Sequence, residues 1–156
     1  MATSEAKIFH HINIRNKKAA FEYEFIEKFT AGMVLQGTEI KSIRNGKVNF
    51  QDTYCHFTQD GIIARGLHIS PYEKGTHFNH DPKRDRKLLL SRKEIRRLRI
   101  KSEEKGLTII PTRLYINERG FAKLEIALAR GKKTYDKRES IREKDLKRDL
   151  ERNKHR

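Results

Sequence analysis

The residues in this chain best equipped for chemistry are its cations, and the chemistry they suit is holding anions rather than making bonds. The densest cluster is Lys83-Arg84-Asp85-Arg86-Lys87, continued by Arg92, Lys93, Arg96, Arg97, Arg99 and Lys101, with only Asp85 and Glu94 interspersed. A guanidinium presents a planar fork of donors that matches phosphate oxygens, and forks repeated along a helix can follow a nucleic-acid backbone. A solvated helix face is the ordinary alternative, but such a face normally carries balancing acids. A second set, Asn16-Lys17-Lys18, puts two cations at a candidate helix start, where backbone amides also attract phosphate. A plain helix cap is the competing reading there. Glu39, Lys41 and Arg44 share a third short segment, in which an internal ion pair is the ordinary reading.

Other chemistries find little support. His77 and His80 share a loop and His10-His11 adds a pair, but zinc wants about four well-placed ligands. Cys55 is the single cysteine, which excludes an internal disulfide and a multi-cysteine metal centre. Glu39, Asp52 and Asp81 carry no spacing that marks an acid–base pair. There is no phosphate-cradling glycine loop, nucleophile elbow or zinc-protease helix motif. No metal, no cofactor and no enzymatic activity are expected.

Composition points the same way. The 156 residues hold 36 Lys and Arg against 21 Asp and Glu, a net charge of +15. Such an excess attracts polyanions by counterion release and disfavours self-association, so nucleic acid is the first partner to consider and a monomer is expected. A membrane is the second candidate, but no apolar run approaches the ~18 residues of a spanning helix. Met1 to Lys7 lacks the apolar segment of a signal peptide, so a cytoplasmic location is expected.

Residues 1–130 read as a folded domain. Ile8 to Ile14 looks extended. Asn16 is a candidate N-cap for a helix running to Gly32, with Phe21, Phe25 and Phe29 at i, i+4 and i+8. Met33-Val34-Leu35 reads as a short strand. Thr38 is placed to cap a helix over Glu39 to Arg44 that Asn45-Gly46 ends. Thr53–Thr58 and Ile62–Ile69 flank Gln59-Asp60-Gly61, a hairpin signal. Pro71 to Pro82 reads as a loop. Ser91-Arg92-Lys93-Glu94 matches a capping box, with Gly106 as the stop. Leu107–Asn117 and Phe121–Ala129 form a second hairpin, in which Ala122, Leu124, Ile126 and Leu128 make one wholly apolar face. The sum is a mainly β protein with about three helices, for which a small antiparallel barrel of the oligonucleotide-binding type is the template.

Residues 131–156 differ. They hold eleven Lys and Arg against six Asp and Glu, and their large apolar groups are Tyr135, Ile141, Leu146 and Leu150. Four such groups cannot offset the ~1–2 kcal/mol per residue of backbone ordering. Good helix formers fill the segment, and after Gly131 it has neither Gly nor Pro. A basic tail, disordered alone and helical on a partner, is expected.

In order along the chain, these residues form a series that resembles the SsrA-binding protein family, also called small protein B. Asn16-Lys17-Lys18-Ala19, Tyr23 and Ala31 through Arg44 resemble its first signature. Asp52 and Tyr54, then Ile69-Ser70-Pro71-Tyr72, Asn79-His80-Asp81-Pro82, Arg84 and Arg86 through Leu90 match its middle. Gly131-Lys132-Lys133-Thr134-Tyr135-Asp136-Lys137-Arg138 matches its C-terminal signature. The resemblance implies an oligonucleotide-binding barrel that grips the tRNA-like part of transfer-messenger RNA and delivers it to stalled ribosomes. It implies RNA contacts at Asn16, Lys17, Lys18, Tyr23, Glu39, Lys41 and Arg44, with Arg84, Arg86 and Lys87 adding phosphate contacts. It further implies that Gly131, Lys132, Lys133, Tyr135, Asp136, Lys137 and Arg138 engage the decoding region and empty messenger channel of the small ribosomal subunit. Elongation factor Tu is the implied partner in delivery. Tyr135 stands where many relatives carry His, and Thr30 where many carry Glu. A structural ribosomal protein and an RNA-processing enzyme are the competing functions.

Overall fold

The computed structural model describes residues 11–75 and 77–154. Along them run β1 (Asn13–Arg15), α1 (Lys17–Glu22), β2 (Tyr23–Met33), α2 (Gly37–Arg44), β3 (Val48–Asn49), β4 (Tyr54–Thr58) and β5 (Gly61–Arg65). Then follow β6 (His68–Ile69), β7 (Arg86–Leu89), α3 (Arg92–Lys105), β8 (Thr108–Ile116), β9 (Ala122–Gly131) and α4 (Thr134–Lys154). Of the expected extended segment from Ile8, residues 8–10 lie outside the described part.

Seven strands form one antiparallel sheet in the order β1-β8-β9-β2-β7-β5-β4, and β3 pairs with β6. The sheet curls until β4 lies against β8 at the far side, enclosing one core in the manner of a small oligonucleotide-binding barrel. The apolar face of β9 fills it: Leu124, Ile126 and Leu128 are fully buried, beside Leu114, Ile62 and Ile43. On the outer face a smaller cluster of Ala19, Ile110 and Ala129 sits under α1, with Tyr23 and Phe25 packed against it.

The long helix expected from Asn16 to Gly32 is corrected. The helix stops at Glu22 and Tyr23–Met33 is an eleven-residue strand. A spacing of four fits both periods, since it is near one helical turn and is also an even step along a strand. Burial shows which period won: Phe29 and Ala31 are buried while Glu24, Ile26, Lys28 and Thr30 are exposed. The strand pairs along almost its whole length with β9, with a bulge between Phe25 and Glu27. Of the strand expected at Met33-Val34-Leu35, only Met33 is included. The start of α2 also differs. Gln36 occupies the N-cap, its amide donating to Glu39 Oε1 at 2.8 Å, and the Thr38 hydroxyl instead meets His80 Nδ1 at 2.8 Å.

Other local signals hold. Thr58 pairs with Gly61 across the Gln59-Asp60 turn. Ser91 caps α3 by accepting from the Glu94 amide at 3.1 Å, and Gly106 ends it with φ 61°. Gly66, with φ 82°, lets the chain leave β5 for β6. A Cβ there would lie 2.7 Å from the Asp52 carbonyl oxygen, and Asp52 itself has φ 57°. Gly66→Ala is therefore expected to cost about 1–3 kcal/mol, read as a lower urea midpoint. Gly37→Ala, with nothing within 4 Å of the added carbon, should leave the midpoint unchanged or raise it.

Residues 134–154 form the helix α4, which touches the body at α1. Lys132 Nζ reaches Ser140 Oγ at 2.8 Å and the Ala20 carbonyl at 3.3 Å, which brings α4 against α1. The strand β9 runs through Gly131, and the Lys132 amide donates to the Glu22 carbonyl at 2.8 Å. The barrel thus extends about two residues beyond position 130.

Candidate nucleic-acid interface

The residues singled out in the sequence divide into those that face solvent and those that hold the frame. At the start of α1, Asn16 belongs to the frame. It is 8% exposed. Its Nδ2 donates to the Pro111 carbonyl at 2.8 Å, and its Oδ1 accepts from the Ala19 amide at 3.2 Å. This fixes α1 on β8 and leaves Lys17 and Lys18 exposed. The two lysines line one recess with Asn49 and Gln51, on the segment that follows α2. Tyr23 is half-buried against the cluster under α1.

The Glu39, Arg84 and Arg86 expectation needs the largest correction. Arg86 and Glu39 are wholly buried. Arg86 Nε donates to Glu39 Oε2 at 2.5 Å, and its other nitrogens reach the carbonyls of Leu67 and, at 3.1 Å, Pro82. Arg84 Nη2 donates to Glu39 Oε1 at 2.5 Å and to the Val34 carbonyl at 3.1 Å. Burial alone would raise the Glu39 carboxyl. The Arg84 donor, the Gln36 amide and Arg86 outweigh it and hold the group below the usual carboxylate range. Burial likewise lowers Arg86, opposed by Glu39. This network staples α2, the 81–86 segment and the β5–β6 bend. Arg86 turns no donor to a phosphate, because its guanidinium nitrogens all face inward, and the Glu39 carboxylate only accepts. Glu39 is equally unavailable as a catalytic base.

What remains for contact is the rim of that network. Lys41, Lys83 and Lys87 are exposed, and Arg44 and Arg84 are half-buried. Lys41 Nζ lies 5.5 Å from the Tyr72 ring centroid. Phe78, 90% exposed in the 71–82 loop, offers an open aromatic face of the kind on which bases stack. In the tail, Gly131 closes β9 opposite Tyr23, Lys132 is the hook onto α1, and Lys133 and Arg138 are exposed. Tyr135 and Asp136 stand in the first turn of α4, their side chains outside the described part. Among the described residues, no group of three or more His, Cys, Asp or Glu gathers as a metal site would require. Nor is any helix long and apolar enough to cross a membrane.

The sequence reading missed an apolar patch. Leu89 and Phe121 are 53% and 63% exposed on the wall of a recess bordered by Gly32, Ile40 and Lys123. The signal was present in Leu88-Leu89-Leu90: alternation on a strand must turn the middle residue outward.

A family model described as SmpB protein matches residues 13–156. The chain belongs to the SmpB family. An SsrA-binding protein of Cytophaga hutchinsonii is 55% identical over 97% of this chain and 98% of that protein. One of Phocaeicola vulgatus is 55% identical over 90% and 94%. One of Desulfitobacterium hafniense is 54% identical over 88% and 87%. A solved structure described as "tmRNA-SmpB: a journey to the center of the bacterial ribosome" superposes with a TM-score of 0.68. Its sequence identity is 46%, over 84% of this chain and 95% of that one. The SmpB match extends across the barrel and through α4, so body and tail belong to one family unit.

Proposed function

We propose that the chain binds transfer-messenger RNA through its tRNA-like part and brings it to stalled ribosomes for trans-translation. The observation that carries this reading is the family match from residue 13 to 156, together with relatives named for binding SsrA RNA. The physical layout supports it: exposed cations flank the barrel, and a basic helix of 21 residues follows its last strand. In this reading the chain works in the cytoplasm as a monomer, without catalysis of its own. Elongation factor Tu joins it in delivery. The tail, residues 131–156, probes the empty messenger channel and decoding centre of the small subunit, and Lys17, Lys18, Lys41, Arg44 and Lys87 contribute phosphate contacts.

Reconstituted rescue tests the proposal. Stalled ribosomes, transfer-messenger RNA and elongation factor Tu should append the tag peptide only when the chain is present. Tagging that proceeds without it, or a chain that occupies every translating small subunit, would contradict the proposal and favour a structural ribosomal protein. Tyr135→Ala supplies a finer arm. One stacked base is worth ~1–3 kcal/mol, so this variant should impair accommodation on the ribosome about 5- to 150-fold while free RNA binding holds. Equal losses in both assays would place Tyr135 on the wrong surface.

A further inference from the structure

Helix α3 carries a cation stripe that no contact among the described residues uses. Leu98 is fully buried beneath it. Both flanks are pinned. On the β2 side Arg97 Nε and Lys101 Nζ hold the two oxygens of Glu27 at 2.8 and 2.6 Å. On the β4 side Arg99 lies 5.0 Å over the Phe57 ring and donates to the Thr58 carbonyl at 3.3 Å. The helix therefore cannot roll, and at 3.6 residues per turn the direction away from Leu98 belongs to Lys93, Arg96 and Ile100, with Arg92 beside them. All four are exposed. No acid interrupts the N-terminal half of this stripe, because Glu94 is turned back onto Ser91 in the cap; Glu103 and Glu104 stand on the same face only at the far end, in the last turn.

We propose that the outward face of α3 is a second RNA-contact surface, which holds the phosphate backbone of an RNA duplex other than the RNA engaged through Lys17, Lys18 and Lys41. The inference rests on reading the chain as an RNA-binding protein and adds where a second RNA docks. Arg92 and Arg96 stand one turn apart, about 6 Å along the axis, so their forks address successive points on a straight backbone. The single apolar group on the stripe, Ile100, is 46% exposed. That is too little apolar anchor for a protein partner, whose interface core would want aromatic or clustered apolar groups. The location is also separate. Strand β7 leaves the Arg84–Glu39 network at its start, and α3 begins three residues beyond its end, so the two cation groups lie at opposite ends of that strand.

The test uses the full chain with two probes: the transcribed tRNA-like domain of transfer-messenger RNA, and a plain RNA duplex of arbitrary sequence. The triple variant Arg92→Gln, Lys93→Gln, Arg96→Gln is compared with a scattered control of equal charge change, Lys74→Gln, Arg119→Gln, Arg152→Gln. All six residues are exposed. The α3 variant should lose at least tenfold in duplex affinity, and the slope of log K against log salt should become shallower by roughly 2–3, at ~0.9 per phosphate contact. Its affinity for the tRNA-like RNA should stay within about twofold. An equal loss of duplex affinity by the scattered control would overturn the proposal as mere net charge. An equal loss on both probes would overturn it by placing α3 in the first RNA's footprint. If the unaltered chain shows no preference for the tRNA-like RNA over the duplex, the underlying reading fails, and the duplex arm still reports on α3 by itself.

Discussion

Glu39→Ala is expected to destabilise the folded chain by about 3–5 kcal/mol, the cost of leaving a buried charge without its partner. Glu39 takes donors from both Arg86 and Arg84, and Arg86 is fully buried with no second carboxylate in hydrogen-bond reach among the described residues. The carboxylate also accepts from the Gln36 amide that opens α2, so its loss frays that helix as well. A urea titration would measure the change. Lys41→Ala, on the exposed face of the same helix, should move the midpoint little. The pH dependence has a definite sign. The Glu39 carboxyl lies below its unfolded value, so its contribution is fully present above the unfolded pKa of about 4.3. It is lost as pH falls through the lower folded value. Acid should therefore denature the parent more steeply than Glu39→Ala. Glu27 and Glu125 are lowered too, but their partners are more exposed and solvent screening reduces their share. RNA binding by the Glu39 variant should fall only in proportion to the unfolded fraction. A fully folded variant that no longer bound RNA would mean that Glu39 touches RNA directly.

Removing the tail is the second large effect. A chain ending at Lys133 is expected to keep its affinity for the tRNA-like RNA and to lose peptide tagging entirely. The cut belongs there rather than after residue 130, because β9 runs through Gly131 and the Lys132 amide still closes onto Glu22. Stability should change by no more than ~1 kcal/mol, about one net hydrogen bond. Ile141, Leu146 and Leu150 are 47%, 64% and 64% exposed, so α4 returns little apolar burial to the body. A free peptide of residues 131–156 should accordingly show mostly coil by circular dichroism, since isolated helices of this length are marginal in water. Full tagging by the shortened chain would end the division of labour between barrel and tail.

Much of the fold was legible wherever the determinant was local. The Asp60-Gly61 turn, the Ser91–Glu94 capping box, the Gly106 stop and the apolar face of β9 each depend on neighbours within a few residues. The segment after Glu22 was misread because spacing-four aromatics satisfy a helix and a strand alike; only pairing with β9, a hundred residues on, decides between them. The burial of Glu39 and Arg86 was not legible, for the same reason. Glu39 and Arg86 are 47 residues apart, and charged residues at that distance look like surface until the fold closes them on each other. Lys17, Lys18, Lys41 and Lys87, which have no such buried carboxylate partner among the described residues, lie on the surface as expected.

The most direct test of the central claim is a binding measurement across a salt series. The full chain is titrated with the tRNA-like domain of transfer-messenger RNA and, in parallel, with an ordinary tRNA. Recognition by shape predicts a preference for the former that persists as salt rises, because only the phosphate share of the affinity is screened away. Equal affinities that fade together would reduce the interaction to charge attraction and contradict the account.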